Sequence, residues 1–263
     1  MKNRKKNNLG HDPRKRFGQN FLQNQSVIHK ILDALSLQSC DKVIEIGPGL
    51  GALTKPLLQI LPHLIAIEID SDLQAYCLKQ PYADRLELVA ADALTLDYSQ
   101  WGSSLRLIGN LPYNISTPLL FHLLQYVTFI QDMHFMLQKE VAERLAACPG
   151  NKNYGRLSIM VQYFCEVTCL FDVSPDAFEP SPKVNSSMVR LQPYAISPYD
   201  SVNWNTLSQV VAQAFGMRRK TIANNLKPLI SAEELLTLPI DPSARPEQLA
   251  IEDYVRLTHY LYP

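Results

Sequence analysis

Short apolar runs alternate with helical patterns through most of this chain, and that alternation restricts its fold more than any other feature. Runs typical of buried strands lie at residues 42–46, 64–69, 86–90, 105–108, 133–137, 167–173 and 187–191. Stretches with helical periodicity separate most of them, for example residues 52–61. Strands that alternate with helices pair in one sheet that helices cover on both faces. The sequence therefore predicts an α/β fold with a seven-stranded sheet.

The two ends of the chain differ from this alternating region. Residues 1–24 are polar and positive, and we interpret them as a basic N-terminal arm. Ser26 is predicted to cap the first amphipathic helix, because its hydroxyl can accept from the free N–H groups of a helix start. Residues 193–203 contain two prolines and several small polar residues, which are typical of a linker. We therefore predict an α/β domain at residues 25–192 and a small all-helical domain at residues 204–263.

A glycine-rich segment follows the first predicted strand, at a position where parallel α/β sheets bind ligands. Gly47, Gly49 and Gly51 allow the backbone to approach a ligand where a Cβ atom would collide. Their G-x-G-x-G spacing departs from the dinucleotide pattern G-x-G-x-x-G, so by itself it is weak support for a cofactor site. No basic residue lies within residues 47–53, which does not favour phosphate binding.

Carboxylates lie at or just after the ends of the next two predicted strands. Glu68 lies about twenty residues beyond the glycines, where a carboxylate can accept from both hydroxyls of a ribose. Asp92 follows residues 86–90 and is placed to accept from the amine of an adenine. Either residue alone could be a solvated strand end. The glycine-rich segment, Glu68 and Asp92 lie at the ends of three successive predicted strands, and together they indicate a nucleoside cofactor.

Asn110, Leu111, Pro112 and Tyr113 follow another predicted strand and suit chemistry on the exocyclic amine of a nucleobase. Such an amine is a poor nucleophile because its lone pair is delocalised into the ring. The Asn110 side-chain oxygen and a backbone carbonyl beside Pro112, for which Leu111 is the candidate, would localise that lone pair and stabilise the developing positive charge. Pro112 stiffens the turn, and Tyr113 offers a flat face for the base. The alternative is a strand-end turn with Asn110 as a cap and Tyr113 as packing.

Composition limits the class of protein. The chain has 263 residues, 46% of them hydrophobic, so it can bury a large core, and no apolar run is long enough to cross a membrane. The basic N-terminus is not followed by an apolar segment, so we expect no secretory signal. Five cysteines without a C-x-x-C pair argue against a disulfide framework or a structural zinc site, and six histidines lack ligand spacing. We expect a cytoplasmic enzyme that binds neither a metal nor a membrane.

Charge is balanced overall but clustered. The chain has 25 basic and 25 acidic residues, yet two segments, residues 1–24 and 218–220, are strongly basic. Clusters of this kind contact RNA phosphates. The alternatives are a solubilising tail for the first cluster and a solvated helix face for the second. The candidate RNA-binding residues are Arg14, Lys15, Arg16, Arg218, Arg219 and Lys220.

Several motifs of this chain occur together in one enzyme family. They are E-I-G-P-G-L-G-A-L-T at 45–54, N-L-P-Y at 110–113, F-G-Q-N-F-L at 17–22, F-E-P-S-P-K-V-N-S at 178–186, F-G-M-R-R-K-T at 215–221 and R-P-E-Q-L at 245–249. In combination they resemble the ribosomal RNA adenine dimethyltransferases, in particular the bacterial small-subunit (16S) family. The resemblance implies a Rossmann-like class I methyltransferase sheet, the cofactor S-adenosylmethionine, and N6,N6-dimethylation of two adjacent adenosines in a hairpin near the 3′ end of 16S rRNA.

Phe178 is a candidate for holding the target base against Tyr113 if the chain passes near residues 110–113, because a base that leaves its helix must be held on both faces. The alternative is that Phe178, which lies close to two prolines, only packs within a loop. Leu111 stands where DNA adenine methyltransferases commonly have proline, which fits the RNA branch. The cofactor contacts implied by the resemblance are Asn20, Leu22, Gly47, Glu68, Asp92 and Asn110.

Two other functions share parts of this pattern. A large-subunit rRNA adenine methyltransferase of the macrolide-resistance type has both core motifs, although the segments 17–22 and 178–186 favour the small-subunit family. A non-catalytic assembly or transcription factor on the same fold would be indicated by degraded Gly, Glu or Asn positions, and none is degraded. Because the net charge is zero, we expect selectivity to depend on RNA shape, with 16S rRNA in a partly assembled small ribosomal subunit as the partner.

Overall fold

The computed structural model describes residues 19–217 and 219–263, which contain nine strands and ten α-helices. The strands are β1 Phe21–Leu22, β2 Lys42–Ile46, β3 Leu64–Glu68, β4 Leu86–Ala90, β5 Leu105–Asn110, β6 Ile130–Gln138, β7 Cys165–Val173, β8 Phe178–Glu179 and β9 Ser186–Pro193. The helices are α1 Gln25–Leu35, α2 Thr54–Ile60, α3 Ser71–Cys77, α4 Ser116–Leu123, α5 Lys139–Leu145, α6 Arg156–Gln162, α7 Trp204–Ala214, α8 Ile222–Leu226, α9 Ala232–Thr237 and α10 Ile251–Leu261.

Seven of the strands form one sheet in the order β4-β3-β2-β5-β6-β9-β7, which confirms the predicted seven-stranded α/β fold. Neighbouring strands from β4 through β6 pair in parallel. The chain runs outward from β2 to β4 and then returns to place β5 on the other side of β2. A crevice therefore forms beyond the carboxyl ends of β2 and β5, where sheets of this kind bind ligands.

Helix α1 packs one apolar face against the core. Its residues Ile28, Ile31 and Leu35 are buried. The prediction that Ser26 caps this helix is wrong. The N-cap is Asn24, whose side-chain oxygen accepts from the backbone N–H groups of Ser26 at 3.0 Å and Val27 at 3.2 Å. Both residue types can cap a helix, so the extended backbone at Asn24 decides where the helix begins.

A buried cluster of charges connects the end of α1 to the sheet. The Arg106 guanidinium on β5 donates to Asp132 on β6 at 2.8 Å, to Asp41 at 2.7 Å and to the Leu35 carbonyl at 2.7 Å. Arg106 and Asp132 are each 8% exposed, so each charge depends on its partner rather than on water. Burial acts to raise the pKa of Asp132, but the neighbouring His134 and Arg106 outweigh it and lower that pKa overall.

Two compact units divide the chain. The first contains the described residues up to Lys139 together with Leu170–Arg190, and the second contains Glu140–Cys169 together with Leu191–Pro263. Helix α7 is amphipathic and buries one apolar face within the second unit. Helix α6 and all of α5 after its first residue precede the proposed linker at residues 193–203 and belong to this second unit. Our domain boundaries stay a prediction. Within the described residues, no helix combines the length and apolar character needed to span a membrane.

Candidate active site

A cavity of about 270 Å³ lies at the carboxyl ends of β2, β3, β4 and β5. These strands are parallel neighbours in the sheet, so the residues at their ends meet along one edge. Apolar side chains such as Ile67, Ile69 and Leu73 form much of its wall. The predicted cofactor residues that line the cavity are Asn20, Leu22, Gly47, Gly49, Glu68, Asp92 and Asn110.

The three glycines after β2 have different surroundings. Gly47, Gly49 and Gly51 all have positive φ, at 73°, 56° and 82°, the region that favours glycine. A Cβ on Gly47 would meet no atom within 4 Å, whereas one on Gly49 would lie 3.2 Å from the Phe21 ring. A Cβ on Gly51 would collide with the Tyr82 hydroxyl, and Gly51 does not line the cavity. Open space therefore lies beside Gly47, while Gly49 and Gly51 leave room for the side chains of Phe21 and Tyr82.

Three carboxylates, and no lysine, arginine or histidine among the described residues, line the cavity. Glu68 ends β3, Asp92 follows β4, and Glu45 lies on β2. The Glu68 carboxylate accepts from the Asp70 backbone N–H at 2.9 Å, and burial raises the pKa of Glu68. Such a lining favours a ligand with hydroxyl and amine donors or a positive charge over a phosphate. In the described part of the chain, no group of His, Cys, Asp or Glu is arranged to hold a metal ion.

Glu45 is the most buried of these carboxylates, with 2% of its surface exposed. It accepts from the Thr54 hydroxyl at 2.7 Å. Burial raises the pKa of Glu45 to about 7, against the effect of the Thr54 hydrogen bond and with a contribution from the charge of Glu68. The carboxyl therefore changes its protonation near neutral pH, inside the cavity.

Replacing Glu45 with glutamine should raise the free energy of unfolding at alkaline pH. The pKa of Glu45 is higher in the folded protein than in the unfolded chain. The protonated carboxyl therefore contributes its full stabilisation at low pH, and this contribution to the free energy of unfolding is lost as the pH rises through about 7. Glutamine keeps the shape and the Thr54 contact but does not ionise, so we expect a gain of about 1–3 kcal/mol at about pH 8 and little change at about pH 5. Urea unfolding at both pH values measures this, and an equal gain at both would contradict it.

The segment 110–113 begins at the last residue of β5. Asn110 lines the cavity, and its amide nitrogen donates to the Asn20 carbonyl at 2.8 Å, which leaves its oxygen as the acceptor for a ligand. Pro112 also lines the cavity. Leu111 does not: its side chain is 1% exposed and its N–H donates to the Met136 carbonyl. Tyr113 does not line the cavity either.

Residues 19–24, which we call the strap, border the cavity through Gln19, Asn20, Phe21 and Leu22. Within the strap, β1 pairs antiparallel with β8, and Leu22 lies opposite Phe178. Phe178 is 3% exposed and packs in the core of this unit. The structure therefore ties Phe178 to the strap beside the cavity, and its stacking on a base stays a prediction.

Of the predicted RNA-binding residues, Arg219 and Lys220 lie exposed between α7 and α8. The buried Asn225 donates to the Met217 carbonyl at 3.1 Å and so braces the turn that precedes them. Their contact with RNA stays a prediction. Four further candidates lie outside the described residues, namely Arg14, Lys15, Arg16 and Arg218.

Several residues that the fold brings to this site are missing from the sequence prediction. Glu45 precedes the glycines, and its position in an apolar run is the signal that could have identified it. A Cβ on Gly109 would lie 2.6 Å from the Ile46 carbonyl oxygen, so glycine lets β5 approach β2 directly before Asn110. A glycine within a strand often marks such an approach. Asn114 and Ile115 line the cavity without any local sequence signal.

Comparison with known proteins identifies relatives along nearly the whole chain. The profile of the ribosomal RNA adenine dimethylase family matches residues 10–262. Ribosomal RNA small subunit methyltransferase A of Legionella pneumophila strain Corby is 59% identical over 254 residues, which cover 96% of this chain and 99% of that protein. The protein of the same name from Nitrosococcus oceani is 54% identical over 258 residues, with coverages of 97% and 98%.

Solved structures show the same relationship in three dimensions. A dimethyladenosine transferase from Plasmodium falciparum is 30% identical, with a TM-score of 0.77, and the match covers 90% of this chain and 95% of that one. The 23S rRNA methyltransferase ErmE is 25% identical, with a TM-score of 0.70 and coverages of 93% and 100%. The chain therefore belongs to the ribosomal RNA adenine dimethylase family.

Proposed function

We propose that this protein uses S-adenosylmethionine to dimethylate N6 of two adjacent adenosines in the hairpin near the 3′ end of 16S rRNA, and that it acts in small-subunit biogenesis in the cytoplasm. The observation that carries this proposal is the cavity itself, which has three carboxylates, no cation among its described lining residues, and Asn110 at its margin. Family membership and the 59% identity to a small-subunit methyltransferase support the RNA substrate.

The residues of the cavity fit S-adenosylmethionine. Glu68 is suited to accept from both ribose hydroxyls, and Asp92 from the adenine amine. Open space beside Gly47 admits a ligand close to the backbone, and Asn20 and Leu22 border it from the strap. Carboxylates also favour the positive charge of a sulfonium over the neutral thioether of the product. No lysine or arginine is needed, because this cofactor has no phosphate.

The chain's own residues act on the adenosine amine. When bound, S-adenosylmethionine supplies a methyl group with a neutral thioether as leaving group, so the protein needs no general acid. The Asn110 side-chain oxygen and the Leu111 carbonyl accept from the amine hydrogens and stabilise the positive charge that develops on nitrogen. Pro112 stiffens the turn that holds these acceptors. Tyr113 and Phe178 hold the two faces of the base, and water takes the proton that the methylated nitrogen loses.

Changing Glu68 to alanine should weaken S-adenosylmethionine binding by about 1–3 kcal/mol, because two ligand hydroxyls lose their acceptor. Calorimetric titration measures the affinity directly. Glu87→Ala is the matched control, since Glu87 lies exposed on the neighbouring strand β4 and outside the cavity. Unchanged affinity in a folded Glu68 variant would remove this residue from the site.

The RNA substrate is tested by the initial methylation rate on naked 16S rRNA and on partly assembled small subunits at physiological salt. With zero net charge the protein gains little general attraction from phosphates, so we expect faster methylation of the assembled particle. Reversing the charge of Arg218 and Arg219 should weaken particle binding and flatten its salt dependence, with S-adenosylmethionine affinity unchanged. Equal or faster methylation of naked RNA would show that the assembled particle is not the preferred substrate.

The large-subunit alternative has support from the likeness to ErmE, which is 25% identical. The small-subunit relatives are 54% and 59% identical, so we retain 16S rRNA as the substrate. A non-catalytic role is disfavoured because Gly47, Glu68, Asp92 and Asn110 all line one cavity. Mass mapping of methylated nucleosides in RNA treated with the purified protein separates these functions, and methylation of 23S rRNA alone would reverse our choice.

A further inference from the structure

We propose that Ser186 is a positioning residue for the methylation step, because its hydroxyl fixes the direction of the Tyr113 ring. In the proposed function, on which this inference rests, Tyr113 supplies a flat face for the target adenosine. Ser186 is the last residue of the motif at 178–186, and it does not line the cavity. Its role would therefore be exerted through Tyr113.

The Tyr113 side chain is held at both ends. Its backbone lies in the turn between β5 and α4, where its carbonyl accepts from the Ser116 hydroxyl at 3.2 Å. Its own hydroxyl shares a 2.8 Å hydrogen bond with the Ser186 hydroxyl. A tyrosine held only through its backbone can adopt several side-chain rotamers. The hydrogen bond at the far end of the ring selects one of them.

Ser186 provides a rigid anchor for this bond. It is 0% exposed and is the first residue of β9, which lies beside β6 in the seven-stranded sheet. Groups on strands are held more accurately than groups on loops. Burial also raises the pKa of the Tyr113 phenol, so the phenol stays neutral at physiological pH. The sheet thereby orients an aromatic ring that belongs to a turn.

The adjacent Ser187 supplies a matched control. It is also buried, at 3% exposed, and its hydroxyl donates to the Asp172 carboxylate at 2.6 Å. Ser186→Ala and Ser187→Ala each remove one hydroxyl from the same strand. Only the first releases Tyr113.

The experiment compares single-turnover methylation of small-subunit particles, at saturating particle and S-adenosylmethionine, by the wild type, Ser186→Ala, Ser187→Ala and Tyr113→Phe. We expect Ser186→Ala and Tyr113→Phe to be roughly 3- to 10-fold slower, the scale of one lost hydrogen bond, and Ser187→Ala to be close to the wild type. Cofactor affinity should be unchanged in both serine variants. The Ser186→Ala/Tyr113→Phe double variant should be no slower than the slower single variant, because both substitutions remove the same bond.

Equal rates for the two serine variants, or losses that multiply in the double variant, would overturn the role of Ser186. Tyr113→Phe breaks the same bond without altering β9, so a folded Tyr113→Phe protein with the full rate would overturn it even if Ser186→Ala does not fold. A wild-type protein that methylates no rRNA would contradict the proposed function, and that result is distinct from a difference among variants.

Discussion

Asn110→Ala should lower the single-turnover rate of adenosine methylation by roughly 10²–10³-fold, the scale for losing one preorganised polar group. The Asn110 amide is already oriented by its 2.8 Å bond to the Asn20 carbonyl. Its oxygen therefore needs no reorganisation when positive charge develops on the amine. RNA affinity should change much less, because this interaction strengthens chiefly in the transition state.

The same substitution releases the strap at Asn20, so a control must separate the two effects. Gln19→Ala removes a 3.1 Å hydrogen bond from the Gln19 amide to the Asp70 carboxylate and loosens the strap without changing Asn110. At saturating cofactor we expect this variant to keep most of its turnover. Similar losses in both variants would assign the effect to the strap, and near-normal turnover of Asn110→Ala would refute the proposed role.

Asp132→Ala should lower the free energy of unfolding by about 3–5 kcal/mol, because it leaves the Arg106 guanidinium buried without a main partner. Arg106 is 8% exposed, so water cannot replace the lost carboxylate. The remaining carboxylate, Asp41, contacts the guanidinium through Nη1 alone and also accepts from the Gln38 backbone N–H. The pKa of Asp132 is lowered by His134 and Arg106 against the effect of burial, so the stabilisation is present at neutral pH and is lost as the pH falls through that folded pKa.

Urea denaturation at neutral pH measures this loss, and Glu140→Ala is the control. Glu140 pairs with Arg144 one helical turn away, and its side chain is 66% exposed. Water screens such a pair, so its removal should change the free energy of unfolding by less than about 0.5 kcal/mol. If Asp132→Ala cost no more than the control, the buried cluster would not be a main source of stability.

The position of the cavity could be predicted from local patterns. The strands β2 and β4 have the bounds that their apolar runs predict. Parallel strands share one carboxyl edge, so residues at the ends of the runs are predicted to meet there, and Gly47, Glu68, Asp92 and Asn110 do line one cavity. Hydrophobic periodicity and the placement of glycines are patterns of a few neighbouring residues. They can therefore be recognised in the sequence without knowledge of the tertiary structure.

The functions of individual side chains within those patterns could not be read in the same way. Gly47 and Gly51 belong to one G-x-G-x-G segment, yet only Gly47 faces open space, because Tyr82 from a later segment packs against Gly51. Asn24 and Ser26 are both good caps, and the backbone path selects Asn24. In each case a residue distant in sequence, or the course of the chain, decides between locally equivalent candidates.

The sequence by itself determined the α/β class, the number of strands in the main sheet, the family and the residues at the strand ends, because motifs and hydrophobic periodicity are local. Only the tertiary structure decided which groups hold those residues in place. The contacts Asn110–Asn20, Tyr113–Ser186 and Arg106–Asp132 join residues 90, 73 and 26 positions apart. A buried polar group must find a partner, but no local propensity specifies which distant group that partner is, so packing of the chain makes the choice.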